Sequence, residues 1–204
     1  MIRAFVTDLT RRFREALRSE RPDVYDVHGL RVVVENSRPD IKTADVLSRF
    51  EEAIGLIERY QAWRFRHLRR DIRQFSIVRF PCRGAYLPAH GVCITELTFL
   101  ARRDISAAPV AASILHEGMH ARMDRMGIQP ASRDLAREER ICRRAELDFG
   151  RALPPELGAP VITRAEETLT LADEDVAPAI DWTEAQHRQR LTDLEDIRRT
   201  RVLE

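Results

Sequence analysis

A chain of 204 residues, 44% hydrophobic and 33% charged, has the length of one typical domain and a composition that excludes a disordered segment. Its formal net charge of +1 gives no global bias toward nucleic acid or an anionic membrane, and no apolar run approaches the length that spans a bilayer. Keeping so many charges in water requires a largely helical protein.

The opening stretch MIRAFVTDLTRRFREALRSE interrupts every apolar run with arginine or a carboxylate, unlike a signal peptide, so a cytoplasmic protein is expected. Within it, Phe5, Val6, Leu9, Phe13 and Leu17 recur at helical spacing and predict an amphipathic helix over 3–20. VYDVHGLRVVVEN is β-branched and broken by a His-Gly turn, which predicts one or two strands. Apolar residues from Val46 to Leu68, spaced by three or four, predict one long helix from about 44 to 70 with Thr43 as its N-cap.

From 75 to 100, FSIVRF, GAYLP and GVCITELTFL are separated by Pro81, Gly84, Pro88 and Gly91 and read as short strands of a small sheet. A helix follows, opened by Pro109 and stopped at Gly127. The next begins near Ser132, has Asp134 in its first turn, and runs until Pro154 and Pro155. The remainder alternates loops with charged helical pieces. The order predicts a single α+β domain: helices and sheet over 1–108, a helix pair over 109–155 and a charged helical tail over 156–204. Cys82, Cys93 and Cys142 are odd in number and widely spaced, which predicts reduced, mostly buried thiols.

The segment LHEGMHARM (115–123) carries the chemistry. Residues four apart on a helix share a face, so His116 and His120 can offer imidazole nitrogens to one ion, as zinc requires. Glu117 lies about 100° round the helix and borders the ion without ligating it, where it can take a proton from water acidified by the metal. A bare HExxH is expected by chance in roughly one chain of this size in a hundred, so context decides. Here the motif sits inside a delimited helix with apolar flanks Ala112, Leu115, Met119 and Met123, and an unpaired buried histidine pair would be costly.

A catalytic zinc needs a third protein ligand. The metzincin pattern is excluded, because Met123 and Met126 stand where it needs glycine and histidine. The following helix offers Glu138, near the centre of its apolar stripe, and Glu139, at the stripe's edge. An edge position suits a ligand bordering an open cleft, yet both remain candidates. Glu146, two turns along, can hold a histidine by hydrogen bond or pair with an arginine. Tyr86, His90 and Arg143 are candidate donors to a developing oxyanion.

HEGMH followed by the helical EERICRRAE resembles the gluzincins, particularly small bacterial HExxH proteins in which E-R-x-C-x-x-x-E and then a Leu-Pro pair follow. The likeness covers roughly residues 90–155. It implies a zincin-like fold, a zinc ion held by His116, His120 and Glu139, and Glu117 as general base. The chain departs from better-known gluzincins in having Arg143 where an aspartate would stand, four residues after the ligand, which leaves the partner of the first histidine open.

The resulting expectation is a zinc metallopeptidase acting on a peptide or protein substrate; HGVCITEL reads either as an edge strand that an extended peptide could join or as a plain interior strand. Two alternatives stand beside it. One is a non-catalytic zincin-fold binding or regulatory module; the other is a helical nucleic-acid-binding protein using RYQAWRFRHLRRDIR, which Glu51, Glu52, Glu58 and Asp71 dilute into a solvated helix face. In the tail, Trp182 and Leu191 are modest anchors for a partner.

Overall fold

The computed structural model describes residues 23–128, 134–177 and 181–202. The helix expected over 3–20 lies outside them, as does Ser132. Among the described residues the protein is α+β, with a five-stranded mixed sheet ahead of the motif-bearing helix.

Strands β1 (Asp23–Val27) and β2 (Leu30–Val34) form an antiparallel hairpin whose two turn residues, His28 and Gly29, both have positive φ, the turn that matches strand twist. Helices α1 (Thr43–Tyr60) and α2 (Ala62–Asp71) then carry the chain across to β3 (Gln74–Val78), which pairs parallel to β2. The long helix expected over 44–70 is therefore two. At Gln61 the backbone leaves the helical region (φ −141°, ψ 58°), and its carbonyl accepts the amides of Arg64 and Phe65 to start the second helix. The break turns Phe65 and Leu68 into the core while leaving Trp63 exposed. Thr43 does not cap α1. It is the first helical residue, and its hydroxyl accepts instead from the Asn36 amide.

Strands β4 (Gly84–Leu87) and β5 (Val92–Glu96) complete a sheet of order β1-β2-β3-β5-β4. Of the two readings of HGVCITEL, edge or interior, the structure has the interior one: β5 lies between β3 and β4 and is buried at every position, and the outer strands of the described sheet are β1 and β4. Strands covered on both sides lose the alternating pattern of a half-exposed one. LTFL is not strand but the short helix α3 (Leu97–Ala101), started by the Glu96 carboxylate, which accepts from the Phe99 amide at 2.6 Å.

Helix α4 (Ala108–Arg125) carries the HExxH motif and is buried almost all round, its apolar residues entering the main core with Phe50, Phe75 and Ile57. It ends at Gly127 (φ 76°), where the Gly127 amide donates to the carbonyl of Asp124 and the Ile128 amide to that of Met123, satisfying the last turn. Helix α5 (Leu135–Ala152) is capped by Asp134, which accepts from the Arg137 amide at 3.0 Å; Asp134 precedes the first turn rather than lying in it.

Helix α6 (Pro155–Leu169), the first element of the charged helical tail, packs along α5. The two meet at Gly150 and Gly158, where a Cβ on Gly158 would overlap the Gly150 carbonyl oxygen. Gly158→Ala is accordingly expected to destabilise the fold by about 1–3 kcal/mol, the cost of forcing extra volume into packed space. Thermal unfolding checks this, and an unchanged midpoint would refute such close packing. After the short α7 (Asp173–Val176), helix α8 (Trp182–Val202) is fastened by Asp193 to Arg38 and Arg79, while Leu191 and Leu194 remain about half exposed. The Leu191 side chain thus lies at the surface of this domain, and the Trp182 side chain lies outside what is described.

Candidate metal centre

Helices α4 and α5 pack against each other and bring the sequence-predicted residues face to face. His116 and His120, one turn apart, direct their Nε2 atoms toward a common point and lie 3.2 Å from each other there. The Glu139 carboxylate spans both, with one oxygen 3.2 Å from His116 Nε2 and the other 3.3 Å from His120 Nε2. The far side of each ring is also held. His116 Nδ1 donates to Glu146 at 2.7 Å, and His120 Nδ1 donates to Glu138 at 2.8 Å. Arg143 donates to the same Glu146 oxygen at 2.6 Å.

This arrangement separates the two adjacent glutamates. Glu139 faces the convergence point from the cleft side, its side chain a quarter exposed, whereas Glu138 is buried behind His120 and fixes that ring. Glu146 does the same for His116, so the position left open by Arg143 is filled one turn later. A carboxylate on the second nitrogen sets the tautomer and aims the other lone pair inward, as in metal-bound histidines.

Charge balance explains the protonation of the metal-free cluster. Burial alone would lower the His116 pKa from its usual 6.5, but Glu139 and Glu146 outweigh it and push it up to about 10. His120 is likewise raised against burial, by Cys142, Glu138 and Glu139. Glu139 is held well below the usual carboxylate range, its burial outweighed by the two imidazoles. Because the His116 pKa is higher folded than unfolded, its contribution to stability is complete below about 6.5 and disappears as pH rises through about 10. A divalent ion and the ring protons therefore compete for one place. Zinc affinity is expected to climb between pH 6.5 and 10, with proton release on uptake. Calorimetry in buffers of different ionisation enthalpy measures this, and a pH-independent affinity would contradict it.

Sequence reasoning passed over Cys142. Its Sγ is fully buried and lies 3.6 Å from His120 Nε2, and His116, His120 and Cys142 form a buried cluster able to hold a metal ion. A single cysteine has no spacing signature, so only its place on α5, three residues after Glu139 and four before Glu146, hints at this. Cys82 and Cys93 are free thiols, and burial raises both their pKa values.

The cluster opens onto a cleft of about 570 Å³ between β4 on one side and α5 and α6 on the other. Glu117 lines it beside His116, forms no hydrogen bond among the described residues, and abuts Gly84 of the edge strand. A Cβ at Gly84 would lie 3.2 Å from a Glu117 carboxylate oxygen, so the missing side chain lets β4 run close past this group. Tyr86 also lines the cleft; its hydroxyl donates to Asp124 at 3.1 Å, and burial with that carboxylate raises its pKa to about 12, keeping it a proton donor. Arg143 borders the cleft as well. His90 does not: it sits in the turn between β4 and β5.

In the basic stretch Arg66, Arg69, Arg70 and Arg73 are exposed, but not every arginine is free. Arg64 turns inward, donating to Met119 Sδ at 3.0 Å, and Arg70 is paired with the buried Asp71. No described helix is long and apolar enough to cross a membrane. Comparison with family models, curated proteins and solved structures gives no match.

Proposed function

We propose that the protein is a zinc-dependent hydrolase of the gluzincin type that cleaves peptide bonds. The observation that carries this reading is the convergence of His116 Nε2 and His120 Nε2, 3.2 Å apart, with one Glu139 oxygen 3.2 Å from the first and the other 3.3 Å from the second, beside a cleft carboxylate, Glu117, that belongs to neither ring. Ligand nitrogens and oxygens about 2.0–2.1 Å from a tetrahedral zinc stand about 3.3 Å apart, so the donors fit that ion with little rearrangement.

His116, His120 and Glu139 would hold the metal, and Glu138 and Glu146 would keep the imidazoles aimed. When bound, zinc acidifies water and polarises a carbonyl. Glu117, on the cleft wall, takes the proton from the attacking water and returns it to the departing amine. The free edge of β4 suits an extended substrate, which would pair with its main chain and pass Glu117 where Gly84 makes room. Of the expected donors, Tyr86 and Arg143 line the cleft and could donate to the developing oxyanion, although each already has a partner, Asp124 and Glu146.

Zinc stoichiometry and peptide-library cleavage by the purified protein test the proposal; absence of bound zinc would end it. Glu146→Gln is expected to keep the fold and weaken zinc binding by about 10–100-fold, since it removes the carboxylate that orients His116. Competition with a chromophoric chelator gives the affinity, and an unchanged value would mean that Glu146 serves only to pair Arg143.

One observation favours a second reading. A buried thiol next to the histidine pair is a feature of closed, structural zinc sites, and would suit a binding module that keeps the ion without hydrolysis. Retained zinc with no cleavage across broad peptide libraries would select it.

A further inference from the structure

We infer that Cys142 is a fourth ligand of the same ion, so that the resting metal is enclosed by protein donors alone. The inference rests on the metal-binding reading above and adds a donor that the HExxH pattern does not contain. Tetrahedral zinc with nitrogen at about 2.0–2.1 Å and sulfur at about 2.3 Å has N–N edges of about 3.3 Å and N–S edges of about 3.6 Å. The observed separations are 3.2 Å between the two Nε2 atoms, 3.2 and 3.3 Å from those nitrogens to Glu139, and 3.6 Å from His120 Nε2 to Cys142 Sγ. The sulfur also lies within 4.8 Å of the His116 donor atom. The donor atoms of His116, His120 and Cys142 thus already lie within 4.8 Å of one another, with the Glu139 carboxylate spanning the two nitrogens.

The directions of approach agree with the distances. Glu139 comes from the cleft side and is partly exposed, whereas Cys142, one turn further along α5, is fully buried. On metal uptake the thiol gives its proton to solvent and the sulfur–metal bond forms; no electron is transferred. With all four corners filled, water reaches the ion only as a fifth ligand or after the sulfur withdraws. A thiolate also lowers the positive charge left on the ion, which weakens its hold on water. Cys142 therefore sets how readily the centre opens.

Cobalt(II) in place of zinc reports the ligands directly. The cobalt-loaded wild-type protein should show visible ligand-field bands together with a near-ultraviolet sulfur-to-cobalt charge-transfer band. Cys142→Ser should lose the charge-transfer band and keep the visible ones. Cys82→Ser, which alters the cleft-lining thiol, should keep both. Should Cys142→Ser fail to fold, X-ray absorption of the zinc-loaded wild-type protein decides, since one sulfur at about 2.3 Å is required. Visible bands without a charge-transfer band, or a zinc shell of nitrogen and oxygen alone, would overturn the inference and leave the metal site standing. A protein that takes up neither ion would overturn both.

Discussion

Glu117→Gln is expected to retain a full equivalent of zinc and to lose peptide hydrolysis by about 10²–10⁴-fold, the range spanned by a positioned proton-transfer group. The split follows from geometry. Glu117 follows His116 directly in sequence but lies on the cleft wall against Gly84, while the carboxylates that hold the histidines come from α5. Glutamine has nearly the same shape, so neither the close pass of β4 nor the packing of α4 changes. What disappears is a group that can carry a proton. Metal analysis and peptide turnover on one preparation check both halves, and a variant within a few-fold of wild-type activity would remove Glu117 from the mechanism. Loss of zinc in the same variant would instead place this carboxylate among the ligands.

His116→Ala should do the opposite, abolishing stoichiometric zinc and weakening the fold itself. Glu146 is 3% exposed and shares its charge between His116 and Arg143; removing the imidazole leaves it with the arginine alone and strips Glu139 of one of two cationic partners. Breaking a buried charge pair from one side costs about 3–5 kcal/mol. The urea midpoint and the zinc content should fall together. If the variant still bound one zinc per chain, the ion would be somewhere other than between α4 and α5.

The local parts of this architecture were legible in the residues. Pro109 and Gly127 bracket the motif helix, the His-Gly turn marks the hairpin, and HExxH spacing alone puts two imidazoles on one face. What required the third dimension was every relation between elements. Glu138 and Glu139 differ by one position in a helix; which of them meets the front of the rings and which the back is decided by how α5 crosses α4. Whether HGVCITEL lies at the edge or inside stays open in the residues because strand order is nonlocal, and β4 reaches the outside only by folding back beyond β5. No glycine or proline announces the interruption at Gln61. The place of α6 against α5 depends on the fit of Gly158 to a carbonyl 8 residues earlier, which no periodicity encodes.

The position of β4 at the sheet margin carries a consequence for what such a hydrolase would accept. A polypeptide can zip onto that margin only if several of its successive amides and carbonyls are unengaged, which helices and the interior strands of compact domains are not. Unstructured tails, long loops and denatured chains meet the condition. The architecture would thus act as a conformational filter, selecting substrates first by their lack of order and only afterwards by their side chains.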